Sequence, residues 1–490
     1  MTTYIKFDKK KEADLSTFGL NFDHLSALFL CDHIKESMPR LLPGMPSVAF
    51  HFAEREFKAS WLMHRGLHEG AWGCADPETG SFVRVGAVLT GARRGSLPFE
   101  MLPVFYGFRS SAGTVFWVCV YSTYGRATQL FLPHLDLVIF DISQPVAEAV
   151  ITCLQDTLIK LDSGVDPLFA ANKRAASARR IGLLDMVRNF GHQMINNLSG
   201  MQRLIDHHAL DRIDQLWLCG AEFFGPLEMI FPEAVGRVRR FTDRWAVCEA
   251  LRVEPIQLFK IGSTYFPDRL RQRIVSRPPP ESQSSPKCLV VTVRAEGRRC
   301  LNLPDVVAEI YSRLKVEFTD LRVALDGWVF PQSELLIGSS VATATSNRYL
   351  EGIRSELRLA QEVFERLPSG VVTINTVGRS MLESVRDLGG ATAYFSHVGT
   401  LQHKLGHLVA LPGVVHGPRA QLLSPQNGAF CSEVGFSPQF ISPESVEDVA
   451  TSSTRGSGFS DYRITNTEPI ADLLIAILRR PGQFLDVPSR

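Results

Sequence analysis

The sequence predicts an α/β protein: two Rossmann-like domains preceded by a β-rich accessory module. Three observations predict this. Residues 287–425 alternate short apolar runs with amphipathic stretches, in a strand–helix rhythm with short connections. Residues 166–280 show the same rhythm less regularly. Residues 1–165 instead carry short apolar runs divided by turn glycines such as Gly70, Gly80, Gly91, Gly95 and Gly113. The expected division is a β-rich module over 1–165, one Rossmann-like domain over 166–280 and a second over 287–425. An irregular segment with a closing helix over 426–490 completes it.

Bulk properties fit that picture. At 490 residues the chain exceeds one ordinary core, so about two or three domains are expected. It is 45% hydrophobic and 21% charged, with a mean hydropathy of +0.03, the balance of a globular protein. A net charge of +1 gives no support to bulk nucleic-acid binding. No apolar run is long enough for a membrane span, and the first residues, MTTYIKFDKKKEADLS, contain no apolar signal core. The nine cysteines are scattered without a C-x-x-C pair, the usage of a reduced compartment. The expected location is therefore cytoplasmic, with peripheral attachment to a membrane or assembly compatible with the same sequence.

In the first third, strands are expected at Ser47–His51, Phe82–Leu89, Thr114–Tyr121, Gln129–Phe131 and Leu135–Ile142. Helices are expected at Asp23–Met38 and Pro145–Leu161. Lys173–Arg180 reads as a basic helix or linker. The stretch after it, LLDMVRNFGHQMINNLSGMQRLIDHHAL, places Met194, Ile195, Leu198, Met201, Leu204 and Ile205 at helical spacing. Gln215–Cys219 and Ile256–Ile261 read as strands and Ala246–Leu251 as a helix. Ser276–Lys287, rich in Pro and Ser, reads as an exposed linker.

Beyond the linker, Cys288–Val293 is a continuous apolar run, as in a parallel strand covered on both faces. Helices at Leu303–Phe318, Ile353–Leu367 and Ser380–Leu388 alternate with strands at Leu321–Leu325, Gly370–Ile374 and Ala391–Phe395. A polar loop, Ser396–Thr400, then leads into a helix at Leu401–Leu411 and a strand around Val414 and Val415. Glu468–Arg479 reads as the closing helix.

Ligands of open α/β sheets bind beyond the carboxyl ends of the strands. Arg294, Asp326, Asn375 and His397 fall there, so they are expected to converge on one crevice. Arg294 and Arg298 carry guanidinium forks that suit diphosphate oxygens, although a solvated basic loop has the same composition. Gly399 permits close backbone approach, and Thr400 caps the following helix with a hydroxyl within reach of an anion. His403 and His407 share a helix face. Without the Glu of H-E-x-x-H or an evident third ligand, metal binding is not expected. His403 instead reads as a crevice-facing residue. His192, beside Gly191 at the start of a helix, is a candidate neutral base; Glu222 is its rival and Glu233 a third.

These pieces together, in RNFGHQMINNLSG, VTVRAEGRR, VALDGW and FSHVGTLQHKLGH with PGVVHG, resemble the GT-B glycosyltransferases of the bacterial surface-glycan type. The resemblance covers about Gly182 to Pro418 and the closing helix. It implies two Rossmann-like domains with the nucleotide mostly on the C-terminal one, and metal-independent transfer from a nucleotide-sugar without a cofactor. Carried onto this chain, it puts the donor diphosphate at Arg294 and at the His397–Thr400 turn. It puts the base or ribose near Asn375, and His192 on the acceptor side. The E-x7-E pattern of many retaining members is absent, so inversion is the expectation. The implied function is transfer of a sugar to a hydroxyl of a glycan or protein. The alternatives are a non-catalytic GT-B scaffold in glycan assembly, or an epimerase or hydrolase of sugar nucleotides on the same fold.

Overall fold

The structure is a computed structural model of the chain. The described residues are 2–29, 73–91, 101–122, 127–161, 164–167 with 169, 179–253 save 188 and 207, 256–262, 266–275, 286–331, 340–424, 437–449 and 460–484. The expected Ser47–His51 strand, most of the Ser276–Lys287 linker and the second half of the Asp23–Met38 helix lie outside them. The first part of that helix is present as Phe22–Phe29. The chain forms two compact units. One is Met1–Arg188, His192–Gly220 and Phe231–Tyr265; the other is Asn189–Gly191, Ala221–Ile230 and Phe266–Arg490.

The first unit contains two sheets. Strands β1 (Thr3–Lys6), β2 (Gly73–Ala75), β3 (Phe82–Thr90), β4 (Val104–Arg109), β5 (Val115–Val120), β6 (Gln129–Leu132) and β7 (Leu137–Phe140) form a seven-stranded sheet in the order β1-β7-β6-β5-β4-β3-β2. It is antiparallel apart from the β1–β7 pair. Aromatic and β-branched residues alternate to one face, where Phe105, Trp117 and Val138 are buried with Val150, Ile151 and Leu154 of the helix Gln144–Ile159.

The second sheet of this unit comprises β8 (Arg179–Met186), β9 (Gln215–Gly220), β10 (Val238–Phe241) and β11 (Ile256–Lys260). All are parallel, in the order β10-β9-β8-β11. Counted from β8, this is 3-2-1-4, the core order of a Rossmann sheet. Strand β8 corrects the sequence reading, which gave Arg179 and Arg180 to a helix or linker and left residues 181–186 unassigned. Two of its residues mask the strand pattern. A Cβ on Gly182 would lie 2.5 Å from Ile261 Cδ1, so a larger residue there would have to displace that side chain. Asp185 puts a charge in a central strand. Its Oδ2 accepts from the Leu102 amide at 2.6 Å and from Lys260 Nζ at 3.3 Å, and Lys260 also donates to the Leu102 carbonyl at 2.8 Å. Tyr106 adds a bond from its hydroxyl to the Leu258 carbonyl at 3.0 Å. These buried contacts join the two sheets of the unit.

The second unit is built on a six-stranded parallel sheet. Its strands are β12 (Cys288–Thr292), β13 (Arg322–Asp326), β14 (Thr373–Asn375), β15 (Ala393–His397), β16 (Gly413–His416) and β17 (Gln439–Phe440). Their order, β14-β13-β12-β15-β16-β17, is 3-2-1-4-5-6 counted from β12. The fold class read from the sequence, two Rossmann-like α/β units with a β-rich module, is the one observed.

Local sequence explains the elements of this sheet. The central strand β12 is buried along its whole length, as its unbroken apolar run requires. The helix Leu303–Glu317 begins with Pro304 and Asp305 in its first turn and buries Val306, Val307, Ile310, Tyr311 and Leu314 on one stripe. The helix Met381–Asp387 is closed by a capping box between Ser380 and Glu383. The closing helix Glu468–Arg479 adds Ile470, Leu474, Ile477 and Leu478 to the same core. A two-stranded antiparallel ribbon, β18 (Val446–Val449) with β19 (Asp461–Ile464), lies in the stretch expected to be irregular.

Candidate functional site

In a 3-2-1-4-5-6 sheet the connections run to opposite sides from strands 1 and 4, which leaves a crevice beyond their carboxyl ends. Here those strands are β12 and β15. Thr292 ends β12 and His397 ends β15, and their side chains meet: Thr292 Oγ1 lies 2.9 Å from His397 Nδ1 and accepts from the His397 amide at 3.1 Å. The Thr292 hydroxyl donates to Ser396 Oγ at 3.0 Å, which donates to the His397 carbonyl at 3.1 Å. This network locks the mouth of the switch point.

The loop after β12 bends back through two left-handed residues, Gly297 (φ 54°) and Arg298 (φ 59°). Arg294 Nε donates to the carbonyls of Glu296 and Gly297 at 2.9 and 2.6 Å, which ties the guanidinium to its own loop. After β15, Gly399 sits at φ 135° and ψ −155°, angles that other residues rarely adopt. A Cβ there would lie 3.4 Å from Arg298 Nη2 and 3.7 Å from Arg294 Nη1. Both guanidinium groups therefore face bare backbone at the turn. Each is half-buried. Burial lowers the Arg294 pKa, and burial followed by repulsion from Arg294 lowers that of Arg298 to about 10. Two cations desolvated side by side form a site whose charge an anion would relieve.

His397 and His416 are held neutral. Burial first, then the two arginines and His416, keep His397 well below its ordinary value. Burial takes His416 down to about 3. His416 ends β16 in register with His397, stacks on Phe395 at 4.2 Å between ring centroids and lies 2.6 Å from the Tyr462 hydroxyl through Nδ1. Burial also holds the Tyr462 phenol well above its usual range, so it stays protonated.

Asp326 is fully enclosed: Oδ1 accepts from Lys404 Nζ at 2.5 Å, Thr376 Oγ1 at 2.8 Å and Ser384 Oγ at 3.1 Å. It sits at a strand end but within a buried network, not on the crevice surface. Burial lowers the Lys404 pKa, against the pull of Asp326. Asn375 ends β14, half-buried, with Oδ1 accepting from the Val377 amide at 3.0 Å. Thr400 Oγ1 donates to Asn189 Oδ1 at 3.1 Å, within the same unit. The helix expected over Leu401–Leu411 is instead an α-turn, Thr400–His403, continued by a π-helical turn, Lys404–Leu408. So short a helix has a small dipole, and most of the positive charge comes from the arginines. His403 is half-buried, its ring stacked on that of His407 at 5.9 Å, and His407 packs on Phe266.

In the first unit, His192 keeps an exposed edge. Surrounding protein lowers its pKa, while a 2.9 Å contact from Nδ1 to Asn196 Oδ1 opposes the shift. Glu222, in the second unit, is buried, with Oε1 accepting from the Leu227 amide at 2.7 Å at the start of a short helix.

The sequence reading missed Glu356. It lies within the helix Ser340–Arg366, where Oε2 accepts from the Trp328 amide at 2.6 Å. A Cβ on Gly327 would come within 2.4 Å of that oxygen, so the glycine makes room for the carboxyl. Burial pushes its pKa up to about 8, against the pull of Arg294. No local pattern marks Glu356, because its helix repeats charged residues at similar spacing on its exposed faces.

No family model matches the sequence, and neither does any curated protein. Among solved structures, the chain is similar to accessory secretory protein 1, 2 and 3 of Streptococcus pneumoniae at 10% identity, with 67% of this chain and 66% of that one covered and a TM-score of 0.20. It is similar to TarM at 10% identity, with 91% and 78% covered and a TM-score of 0.24. For a GtfA/B complex the values are 11% identity, 84% and 71% covered, and a TM-score of 0.24. The chain thus spans just under two thirds of the first of these. Overlaps this low carry no argument about activity. What the structure itself shows of fold is the order of its two parallel sheets, each of the Rossmann type.

Proposed function

We propose that the crevice between β12 and β15 holds the diphosphate of a nucleotide-sugar and that the protein is a metal-independent, inverting glycosyltransferase acting on a hydroxyl of a glycan or protein. One observation carries the reading: Arg294 and Arg298 converge on the bare backbone of Gly399 at a Rossmann switch point. In the proposed reaction the acceptor oxygen bonds to the anomeric carbon as the bond to the diphosphate oxygen breaks. Charge builds on the leaving diphosphate, and the two guanidinium groups, held in place beforehand, stabilise it. The acceptor proton passes to a general base. His192 suits that task better than Glu222. Its imidazole is exposed at one edge and neutral near pH 7, whereas the Glu222 carboxyl is buried and bonded to a helix start.

The same commitment of Glu222 favours a second reading, a scaffold that binds a nucleotide-sugar without transferring it. Incubation with UDP-, GDP-, CMP- and dTDP-sugars separates the two. Release of nucleotide that depends on an acceptor supports transfer; binding without release supports the scaffold. Under the first reading His192→Ala abolishes turnover and leaves donor affinity near wild type. Turnover that survives the substitution removes His192 as the base.

A further inference from the structure

The loop that carries Arg294 and Arg298 is fastened at its far end by a strand more than 160 residues away in sequence. Asp461, the first residue of β19, is buried and takes Arg299 three ways. Its Oδ1 accepts from the Arg299 amide at 2.8 Å, and Oδ2 accepts from Arg299 Nε and Nη2 at 2.8 and 2.6 Å. The backbone continues the seam: the Tyr462 amide donates to the Arg299 carbonyl at 2.9 Å, and the Leu301 amide to the Tyr462 carbonyl at 2.8 Å. Asn302 closes it, accepting from the Ile464 amide at 3.1 Å and donating to the Ile464 carbonyl at 2.9 Å. The Tyr462 side chain points the other way, to His416 Nδ1 at the end of β16.

We infer that β19 is a positioning element of the anion site, with Asp461 as its main residue. This rests on the donor-site reading above. A loop with two consecutive left-handed residues and two adjacent cations is held against both backbone strain and charge repulsion. Within the loop Arg294 is tied to the Glu296 and Gly297 carbonyls, and across it Glu356 attracts the guanidinium. Asp461 supplies the opposing restraint, gripping residue 299 by backbone and side chain together. It does so with its charge aimed at Arg299, leaving Arg294 and Arg298 turned towards Gly399. Asp461 touches no ligand atom in this account. It keeps two other residues where an anion meets them.

The test is isothermal titration of the full chain with inorganic pyrophosphate and, separately, UDP, GDP, CDP and dTDP. It is run at a temperature where wild type and variants are all folded by circular dichroism. Asp461→Asn keeps an acceptor for the Arg299 amide and loses the charge. The expected result is a Kd for pyrophosphate and for the bound nucleoside diphosphate raised about tenfold or more. Asp461→Glu, which restores the charge, is expected to recover part of that loss. Arg299→Lys, which keeps the charge and loses the fork, is the second variant should Asp461→Asn fail to fold, and it is expected to weaken both probes likewise. Variants that bind both probes as wild type does, with only a lower Tm, overturn the positioning role and leave the donor-site reading standing. Wild-type protein that binds none of the probes overturns both.

Discussion

At the scale of single residues, charge and burial decide most of what this chain can do. Arg294 and Arg298 are pressed together at a strand end, and the expected consequence is specific. Arg294→Ala removes a charge-assisted contact, which is ordinarily worth about 1.5–3 kcal/mol, so nucleoside diphosphate affinity should fall roughly 10- to 100-fold in a titration. Glu356 gives a pH signature. Its folded pKa of about 8 lies above the ordinary carboxyl value, so the folded state holds a proton that the unfolded state releases. Stability therefore falls as pH rises through the window from the unfolded value to about 8, with a slope of at most about 1.4 kcal/mol per pH unit from this group. Urea melts of Glu356→Gln should show that slope flattened between pH 5 and 8; an unchanged slope means that another group titrates there. Asp185 and Lys260 are a buried pair in the first unit. Replacing Lys260 by Met leaves Asp185 short of a partner and should cost about 3–5 kcal/mol in a denaturant melt, against nearly nothing for an exposed pair such as Arg366 with Asp305.

At the scale of elements, the turn after β15 makes the sharpest demand on sequence. Gly399 combines a backbone angle that other residues rarely adopt with two guanidinium groups 3.4 and 3.7 Å from where a Cβ would stand. Gly399→Ala should therefore weaken pyrophosphate binding even where the protein stays folded, and calorimetry would detect it; full affinity in that variant would show that the backbone there is not part of the site. Elements were legible where pattern and environment agreed. Strand β12 shows an unbroken apolar run because it is covered on both faces, and the helix Glu468–Arg479 shows its apolar stripe. Strand β8 was hidden because Asp185 and Gly182 answer to tertiary partners, Lys260 and Ile261, that no local window contains. Arg294 was singled out by its strand-end position, Arg298 by its charge in the loop that follows, and Gly399 as the glycine of the next turn. Glu356, His416 and Tyr462 could not be found in this way, since each enters the region from a separate element and only packing brings them in. Asp326 was read as crevice-facing for the same reason in reverse: its strand-end position is correct, but Lys404 approaches from the following helix and encloses it.

At the scale of the whole chain, two parallel sheets repeat the 3-2-1-4 order without repeating sequence, and no helix among the described residues is long and apolar enough to cross a membrane. The parallel, Rossmann-like character of the sheets was readable from strand–helix rhythm, because a parallel neighbour requires a crossover, while the order of the strands was not. Nor were the donor, the acceptor and the bond made, because a fold of this class hosts many chemistries and only side chains at the switch point discriminate among them. The central claim is that this switch point is a nucleotide-sugar diphosphate site built on Arg294, Arg298 and Gly399. It is tested most directly by thermal unfolding of the full chain against UDP-, GDP-, CMP- and dTDP-sugars, with Arg294→Ala alongside. The predicted result is that one nucleotide class stabilises the wild type, by about 2.7 kcal/mol at a concentration 100-fold above its Kd, and that Arg294→Ala loses most of that gain. Equal stabilisation of wild type and Arg294→Ala, or no stabilisation by any of the four, would contradict it.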